Sequence, residues 1–319
     1  MKYLKQIEPY NGFWGNCITN MLVSILMSRD PSYEPLIFMN DYEYSCDYST
    51  GALFHINYTR DYYRYFRNNH FSFQYCRFAN RESFFDEFKE VLINSPYISV
   101  NVDLYYWNRE GAYFNKVHYP HFSFIIGFDE EEGIIYAVED DTNLNYLIRK
   151  ISMDDFFKAV YSEYKGDQED YRIISFKNSE LKPYILNVNQ VVANAGKIIS
   201  NLEAFIGSNY IIDPKLLKEN SSYATHLAYE FFKISNRFTG NALLFESLKK
   251  KELLDEAPAD RLMQCARDMS VRWNLLRSLY LKYCKSNLIS DIDKIEKKAI
   301  GLFINEKELW LDFINGLPG

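Results

Sequence analysis

Two apolar segments joined by an acidic turn decide the fold class of this chain: HFSFIIGFD at residues 121–129 and IIYAVE at residues 134–139. Aromatic and β-branched residues dominate both segments, which is typical of strands. The acidic residues between them end in Gly133, and glycine favours a tight turn. The sequence therefore predicts an antiparallel hairpin.

Further strands and helices surround this hairpin. Apolar residues that alternate with smaller or polar ones predict strands at 98–104 and 171–176. Apolar residues at helical spacing predict helices at 17–28 and 82–94, and the capping-box pattern SMDD at 152–155 predicts the start of a third. Helices combined with mostly antiparallel strands indicate an α+β domain.

The second half of the chain has a different character. Of the 27 tyrosines, 21 lie in residues 1–175, and the strand signal disappears after Lys182-Pro183. We predict a first domain at 1–178, with an antiparallel sheet, and an all-α C-terminal domain at 179–319. Amphipathic patterns in the second domain predict helices at 188–206, 222–238, 241–252, 258–285 and 289–315.

Composition and charge exclude several classes of protein. No apolar run approaches the ~20 residues of a membrane span, and the N-terminus lacks the pattern of a signal peptide. The net charge is −10 in residues 1–175 and +3 in residues 176–319, so neither half is a polybasic nucleic-acid binder. Five cysteines, an odd number without close pairing, argue against a disulfide framework and favour the cytoplasm.

The usual signatures of cofactors and metals are absent from the sequence. We find no glycine-rich phosphate loop after a strand, no paired-cysteine metal box and no His-Glu-x-x-His helix. The histidines at 55 and 70 have no cysteine or carboxylate at a spacing that suggests a metal. We therefore expect no cofactor and no metal.

Cys17 is the first candidate for chemistry. It stands in the first turn of the predicted helix 17–28, where backbone N–H groups and the helix dipole stabilise an anion. A thiol at such a place is expected to have a lowered pKa and to be nucleophilic. The alternative is a buried cysteine that acts as a small apolar residue.

His121 and a nearby acidic cluster strengthen the interpretation of Cys17 as a nucleophile. His121 begins the first strand of the hairpin, and Glu139, Asp140 and Asp141 end the second, so that an acid meets the imidazole. Counting along the strands reaches each of the three acids under a different assumption; the apolar alternation of Tyr136 and Val138 favours Asp140. The alternative is a half-solvated histidine beside a solvated acidic turn.

The order of these residues resembles that of papain-like cysteine enzymes: a cysteine on a helix, a histidine about a hundred residues later on a strand, and an acid soon after. The text His121-x5-Gly127-Phe-Asp129, followed by IIYAV and an acid, is similar to bacteriocin-processing peptidases and most of all to the family of butirosin biosynthesis protein H. The length and composition also resemble closthioamide-type members that form peptide bonds on carrier proteins. The resemblance covers residues 1–175.

The resemblance implies a function and a role for each matching residue. That family moves an acyl group from a carrier-protein thioester to an amine, and it carries a helical region after the papain-like domain. Cys17 would be the nucleophile, His121 the general base and Asp140 the acid. Asn11 occupies the place of the oxyanion-binding glutamine, Asn16 is a second oxyanion candidate, and Trp14 would be a wall of the site or plain core.

The implied partners are an acyl or peptidyl carrier protein, whose phosphopantetheine holds the substrate, and an amine acceptor that can itself be carrier-bound. Neither nucleic acid nor a membrane is expected as a partner. Two other functions remain open. A peptidase, amidase or thioesterase would use the same triad with water as acceptor, and a binding protein of the same fold would have no activity.

Overall fold

The computed structural model describes residues 1–47, 52–141, 145–166, 169–207, 221–286 and 292–317. It has an antiparallel sheet and long C-terminal helices, which confirms the predicted α+β class. Two compact units are present: a sheet unit made of residues 1–34 and 62–184, and a helical unit made of residues 35–61 and 185–319. Within the described ranges, no helix combines the length and apolar character that crossing a bilayer requires.

Nine strands and eight α-helices are described in these ranges. The strands are β1 (Lys2–Leu4), β2 (Tyr42–Asp47), β3 (Ala52–Tyr58), β4 (Phe71–Cys76), β5 (Tyr97–Asp103), β6 (Pro120–Asp129), β7 (Ile134–Asp140), β8 (Tyr146–Ser152) and β9 (Tyr171–Phe176). The helices are α1 (Cys17–Met27), α2 (Tyr62–Asn69), α3 (Phe84–Asn94), α4 (Met153–Val160), α5 (Val188–Gly207), α6 (Ser221–Lys250), α7 (Glu256–Ser286) and α8 (Ile292–Asn315).

The sheet unit is built around one antiparallel sheet of seven strands. Six of them follow the order β4-β9-β5-β6-β7-β8, and β1 adds to β6. The predicted hairpin is confirmed: β6 pairs with β7, with Asp129 opposite Ile134 and Phe124 opposite Val138. β1 lies so close to β6 at Gly127 that a Cβ at this position would collide with the Tyr3 carbonyl oxygen.

Aromatic residues from two helices form the core of the sheet unit. Phe84 and Phe88 of α3 pack on Phe156 of α4, and all three are buried against strands β5 to β7. Burying a phenylalanine side chain contributes about 2–3 kcal/mol. The predicted cap is also present, since Ser152 Oγ accepts a hydrogen bond from the Asp155 N–H at the start of α4.

The helical unit combines α5 to α8 with the hairpin β2–β3. Phe231 of α6, Trp273 of α7 and Phe303 of α8 are buried in mutual contact at its centre. The prediction that a helix ends near Gly240 is wrong, because α6 runs through it from 221 to 250. A glycine inside a helix costs about 1 kcal/mol relative to alanine, and burial of Phe238 and Leu244 on either side of it offsets that cost.

Buried polar contacts explain why residues 35–61 belong to the helical unit. The hydroxyls of Tyr42 and Tyr44 donate to the two oxygens of Glu306 on α8, at 2.7 and 2.6 Å. Arg237 of α6 donates to the Phe38 carbonyl oxygen. Compared with the predicted domains, 1–178 and 179–319, the units divide at residue 184 and this internal segment joins the helices.

Candidate functional site

Cys17 is the first residue of α1 and lies at its N-terminus. Asn16 caps the helix, because its side-chain oxygen accepts a hydrogen bond of 2.9 Å from the Thr19 N–H. Behind the thiol, the apolar stripe of the helix is fully buried, with Leu22 and Leu26 inaccessible to solvent. The helix therefore holds the half-buried thiol in a fixed position.

The segment that leads to Cys17 is attached to the same helix by two buried side chains. Asn20 donates to the carbonyl oxygens of Tyr10 and Phe13, at 3.1 and 2.8 Å, and accepts from the Gly15 N–H at 2.9 Å. Ser24 Oγ accepts from the Tyr10 N–H at 2.8 Å. Sequence reasoning missed both residues, since a polar side chain on a helix usually faces solvent.

The β6–β7 hairpin supplies the imidazole and a carboxylate. His121 Nε2 lies 3.7 Å from Glu139 Oε2, and both side chains are largely shielded from solvent. The other oxygen of Glu139 accepts hydrogen bonds from Trp107 Nε1, at 2.8 Å, and from Ser123 Oγ. These donors fix the carboxylate and direct its second oxygen to the imidazole.

The neighbouring carboxylates take different positions. Asp140 Oδ1 lies 3.9 Å from Cys17 Sγ and accepts from the thiol, and its charge also acts on the imidazole of His121. Asp141 accepts from the Asn145 amide and forms an ion pair of 3.1 Å with Arg149. Of the predicted residues, Asp140 thus contacts Cys17 and acts by its charge on His121, and Glu139 lies next to the imidazole.

Two features of the hairpin explain why the sequence left the acid open. The register of β6 against β7 shifts at a bulge between Ile125 and Gly127, which no count along the strands reveals. In addition, residues 135–139 of β7 are buried without interruption, so that apolar alternation does not distinguish one face from the other. The observed strand therefore does not support the choice of Asp140 from the alternation of Tyr136 and Val138.

The thiol does not have the lowered pKa that its position at a helix N-terminus predicted. Burial raises the pKa of Cys17 well above its usual value, and the negative charges of Asp140 and Glu139 raise it further. The backbone N–H of the helix start lowers this pKa, but by less than the other causes raise it. The resting form is a neutral thiol.

The pKa values of the His121 imidazole and the buried Glu139 carboxyl are shifted in opposite directions. Burial lowers the pKa of His121 to about 4, against a smaller opposing effect of Asp140, so the imidazole is neutral at pH 7. Burial raises the pKa of Glu139 to about 7, although the hydrogen bonds from Ser123 and Trp107 lower it. A neutral imidazole can act as a general base toward a thiol that comes within its reach.

The other predicted site residues lie in the segment just before Cys17, and each has different contacts. Asn11 Oδ1 accepts a 2.9 Å hydrogen bond from the Tyr146 N–H at the start of β8, so the side-chain oxygen is engaged. The side-chain oxygen of Asn16 is used by the helix cap. Trp14 lies half-buried in the same segment, between Asn11 and Cys17.

A second histidine–aspartate pair in the sheet unit escaped the sequence analysis. His118 Nδ1 lies 2.6 Å from the buried Asp103 carboxylate, and its ring is stacked between Tyr105 and Tyr164. Burial opposes ionisation of Asp103, but the hydrogen bonds from Ser162, His118 and two backbone N–H groups lower its pKa overall.

Three potential metal ligands meet in the helical unit, although the sequence offers no metal motif. His55 of β3 lies beside His226 and Glu230 of α6. The two histidines are 171 residues apart, so their proximity follows from tertiary structure alone.

Comparison with known proteins identifies no relative: no protein-family model matches this chain, and no curated sequence matches it significantly. Inference about function therefore rests on the chemistry of the residues.

Proposed function

We propose that this chain is a cytoplasmic cysteine acyltransferase of papain-like fold, which forms an amide from a carrier-protein thioester and an amine in nonribosomal-type natural-product biosynthesis. One observation carries the proposal: a thiol at a helix N-terminus, a neutral imidazole and two carboxylates converge. Cys17 lies 3.9 Å from Asp140, and His121 lies 3.7 Å from Glu139. This is the set of groups that nucleophilic catalysis through a thiol requires.

In the first step, His121 takes the proton of the Cys17 thiol while sulfur attacks the carbonyl carbon of the thioester. Because Nε2 faces Glu139, Nδ1 is the ring nitrogen that accepts this proton. The bond between the acyl carbon and the carrier sulfur then breaks. The departing thiolate takes the proton from the imidazolium, which leaves an acyl group on Cys17 and a free carrier thiol.

In the second step, the amine attacks the acyl-enzyme. His121 takes a proton from the amine nitrogen as the C–N bond forms and returns it to the Cys17 sulfur as the C–S bond breaks. With a pKa of about 4 the imidazole is unprotonated at neutral pH, and it accepts these protons only as charge develops on the reacting groups. The backbone N–H of Cys17 and the side-chain amide of Asn11 are the candidate donors to the oxyanion in both steps.

Net charge does not supply the attraction to an acidic carrier protein. Residues 176–319 carry +3, but the helical unit also includes the acidic segment 35–61, and its net charge is −1. Charge steering of a carrier by this unit would have to come from local basic side chains. The proposed partner therefore rests on the resemblance of residues 1–175 and on the chemistry of the site.

The two steps can be tested separately with a small mimic of the phosphopantetheine arm. An acyl thioester of N-acetylcysteamine should add one acyl mass to the protein at Cys17, observed by intact-mass spectrometry and peptide mapping. Primary amines added afterwards should release an amide. Free acid as the main product at saturating amine would make the protein a thioesterase or peptidase instead.

Variants distinguish catalysis from binding. Cys17→Ala should abolish acylation, and His121→Ala should slow it by about 10²–10⁴-fold, the usual contribution of a general base. Cys265→Ala is the matched control, because it removes another half-buried thiol, on α7. Turnover that survives in Cys17→Ala would place the activity elsewhere, and the absence of acylation in the unmodified protein would favour a binding protein.

A further inference from the structure

We infer that the helical unit contains a binding site for a zinc-like divalent transition metal, formed by His55, His226 and Glu230. Two of these ligands come from one turn of α6, since His226 and Glu230 are four residues apart and lie on one face. The third comes from the adjacent strand β3, which contacts this helix within the same unit. The site is separate from the residues of the proposed acyltransferase chemistry.

The distances between the three ligand atoms fit the face of a tetrahedron. His55 Nδ1 and His226 Nε2 are 3.2 Å apart, and Glu230 Oε1 lies 3.6 Å from the first and 3.4 Å from the second. Zinc bonds of about 2.0–2.1 Å to nitrogen and oxygen imply ligand separations of about 3.3–3.4 Å at tetrahedral angles. A metal ion thus fits against all three atoms with little rearrangement.

The carboxylate is already oriented for this role. Glu230 is 1% exposed, and its Oε2 accepts a 3.0 Å hydrogen bond from the Ile56 N–H, next to His55 in the chain. Its other oxygen, Oε1, faces the two histidines and forms an ion pair with Lys233. A backbone donor that fixes one carboxylate oxygen while the other binds metal is a common outer-shell arrangement.

The chemistry of the donor set also suits such a metal. Imidazole nitrogen and carboxylate oxygen are both ligands that zinc takes in proteins. Two histidines and one glutamate leave a fourth position open, which in zinc sites is taken by water.

One cation already neutralises part of the site. Lys233 Nζ lies 2.7 Å from Glu230 Oε1 and donates to the Ile56 carbonyl oxygen at 3.1 Å. A metal ion would compete with this ammonium for Oε1, and the lysine would keep its contact with Ile56. If the cluster binds no metal, the same atoms form a histidine–histidine hydrogen bond beside an ion pair. If the cluster is a metal site, removing the lysine should strengthen metal binding; if it is an ion-pair cluster, removing the lysine should only break the ion pair.

The test is zinc titration of the full chain after treatment with a chelator. To exclude zinc binding by the catalytic thiol, the titration is repeated in a Cys17→Ala background. Competition with a chromophoric chelator should show one tight site per chain, and Co²⁺ should give the visible absorption of tetrahedral coordination. His226→Gln and Glu230→Gln should each weaken zinc binding by at least about 100-fold, more than the loss of an outer-shell partner.

Two further variants separate a metal site from an ion-pair cluster. Lys233→Met should tighten zinc binding by about tenfold, because it removes the competing cation. Glu246→Gln, on the same helix but outside the cluster, should bind zinc like the unmodified protein. Circular dichroism in the absence of metal checks that each variant is folded. One folded ligand variant, His226→Gln or Glu230→Gln, is enough for the test. No tight site in the unmodified chain, or equal zinc affinity in a folded ligand variant, would overturn the inference.

Discussion

Cys17, His121, Glu139 and Asp140 hold their protons differently from the same groups in water. The thiol and the imidazole are both neutral at pH 7, and Glu139, with a pKa of about 7, exchanges its proton in the physiological range. A neutral thiol reacts slowly with oxidants and alkylating reagents. The nucleophile would therefore be generated when a bound thioester allows the proton to move to His121.

This arrangement makes a prediction about charge next to the thiol. Asp140→Asn removes a negative charge and an acceptor for the thiol proton, so it should lower the pKa of Cys17. Each unit of this decrease raises the thiolate fraction, and thus the rate of iodoacetamide alkylation at pH 8, by about tenfold. Peptide mapping by mass spectrometry measures the rate at Cys17 alone.

The matched control for this experiment is Asp154→Asn, which removes an exposed carboxylate from α4. It should leave the alkylation rate at Cys17 unchanged. Slower alkylation in Asp140→Asn than in the unmodified chain would mean that Asp140 activates the thiol, contrary to the geometry described above.

At the scale of elements, Asn20 links α1 to the segment that carries Asn11 and Trp14. Asn20→Ala would leave the buried carbonyl groups of Tyr10 and Phe13 without their donor, at a cost of about 2–3 kcal/mol in unfolding free energy. Because the segment also carries the proposed oxyanion donor Asn11, the acylation rate of Cys17 should fall as well. Urea unfolding and intact-mass kinetics measure the two effects.

Asn69→Ala tests whether removing any side-chain donor to a backbone carbonyl lowers the unfolding free energy as much. Asn69 also donates from its side chain to a backbone carbonyl, that of Tyr65, but at an exposed position on α2. Its removal should change the unfolding free energy by less than about 0.5 kcal/mol. Equal effects of the two substitutions would show that burial of the Asn20 contacts does not matter.

Local patterns predicted the elements, whereas long-range contacts decided the site. The hairpin β6–β7, helix α1 and the Ser152 cap follow from periodicity and capping signals within a few residues. The bulge at 125–127 depends on strand pairing and leaves no local signal. For this reason the sequence could name Cys17 and His121 as candidates, but could not choose among the acids that follow.

At the scale of the whole molecule, buried Glu306 makes stability depend on pH. Burial raises its pKa to about 7 in spite of hydrogen bonds from Tyr44, Tyr42 and Trp310. A carboxyl with a raised pKa in the folded state contributes stability that is complete below the unfolded pKa of 4.5 and is lost as pH rises to about 7. Glu139 acts in the same direction.

Glu306→Gln should therefore reduce the pH dependence of unfolding. Between pH 4.5 and pH 7.5, Glu306 lowers the unfolding free energy of the unmodified chain by up to about 3 kcal/mol, and the variant should lack this contribution. Urea unfolding at the two pH values measures the difference. Glu308→Gln, exposed on the same helix, should keep the full pH dependence, and an unchanged dependence in Glu306→Gln would contradict the assignment.

The sequence predicted two halves of different architecture with a boundary at residue 178, close to the observed 184, but it did not predict that residues 35–61 join the helical unit. Tyrosine content and helical periodicity separate the halves because each reflects many residues. The membership of residues 35–61 in the helical unit instead depends on a few buried pairs such as Tyr42–Glu306. Two tyrosines in a strand look the same in sequence whichever unit they join.

The discontinuous helical unit imposes an order of events during synthesis. Tyr44 leaves the ribosome 262 residues before its partner Glu306, a delay of roughly 13–50 s at about 5–20 residues per second. Throughout that time the β2–β3 pair lacks α8, and it gains α5 and α6 only as those helices are made. We expect the nascent chain to expose apolar residues of this pair until then, and an expression fragment ending at residue 178 would lack all three helices permanently.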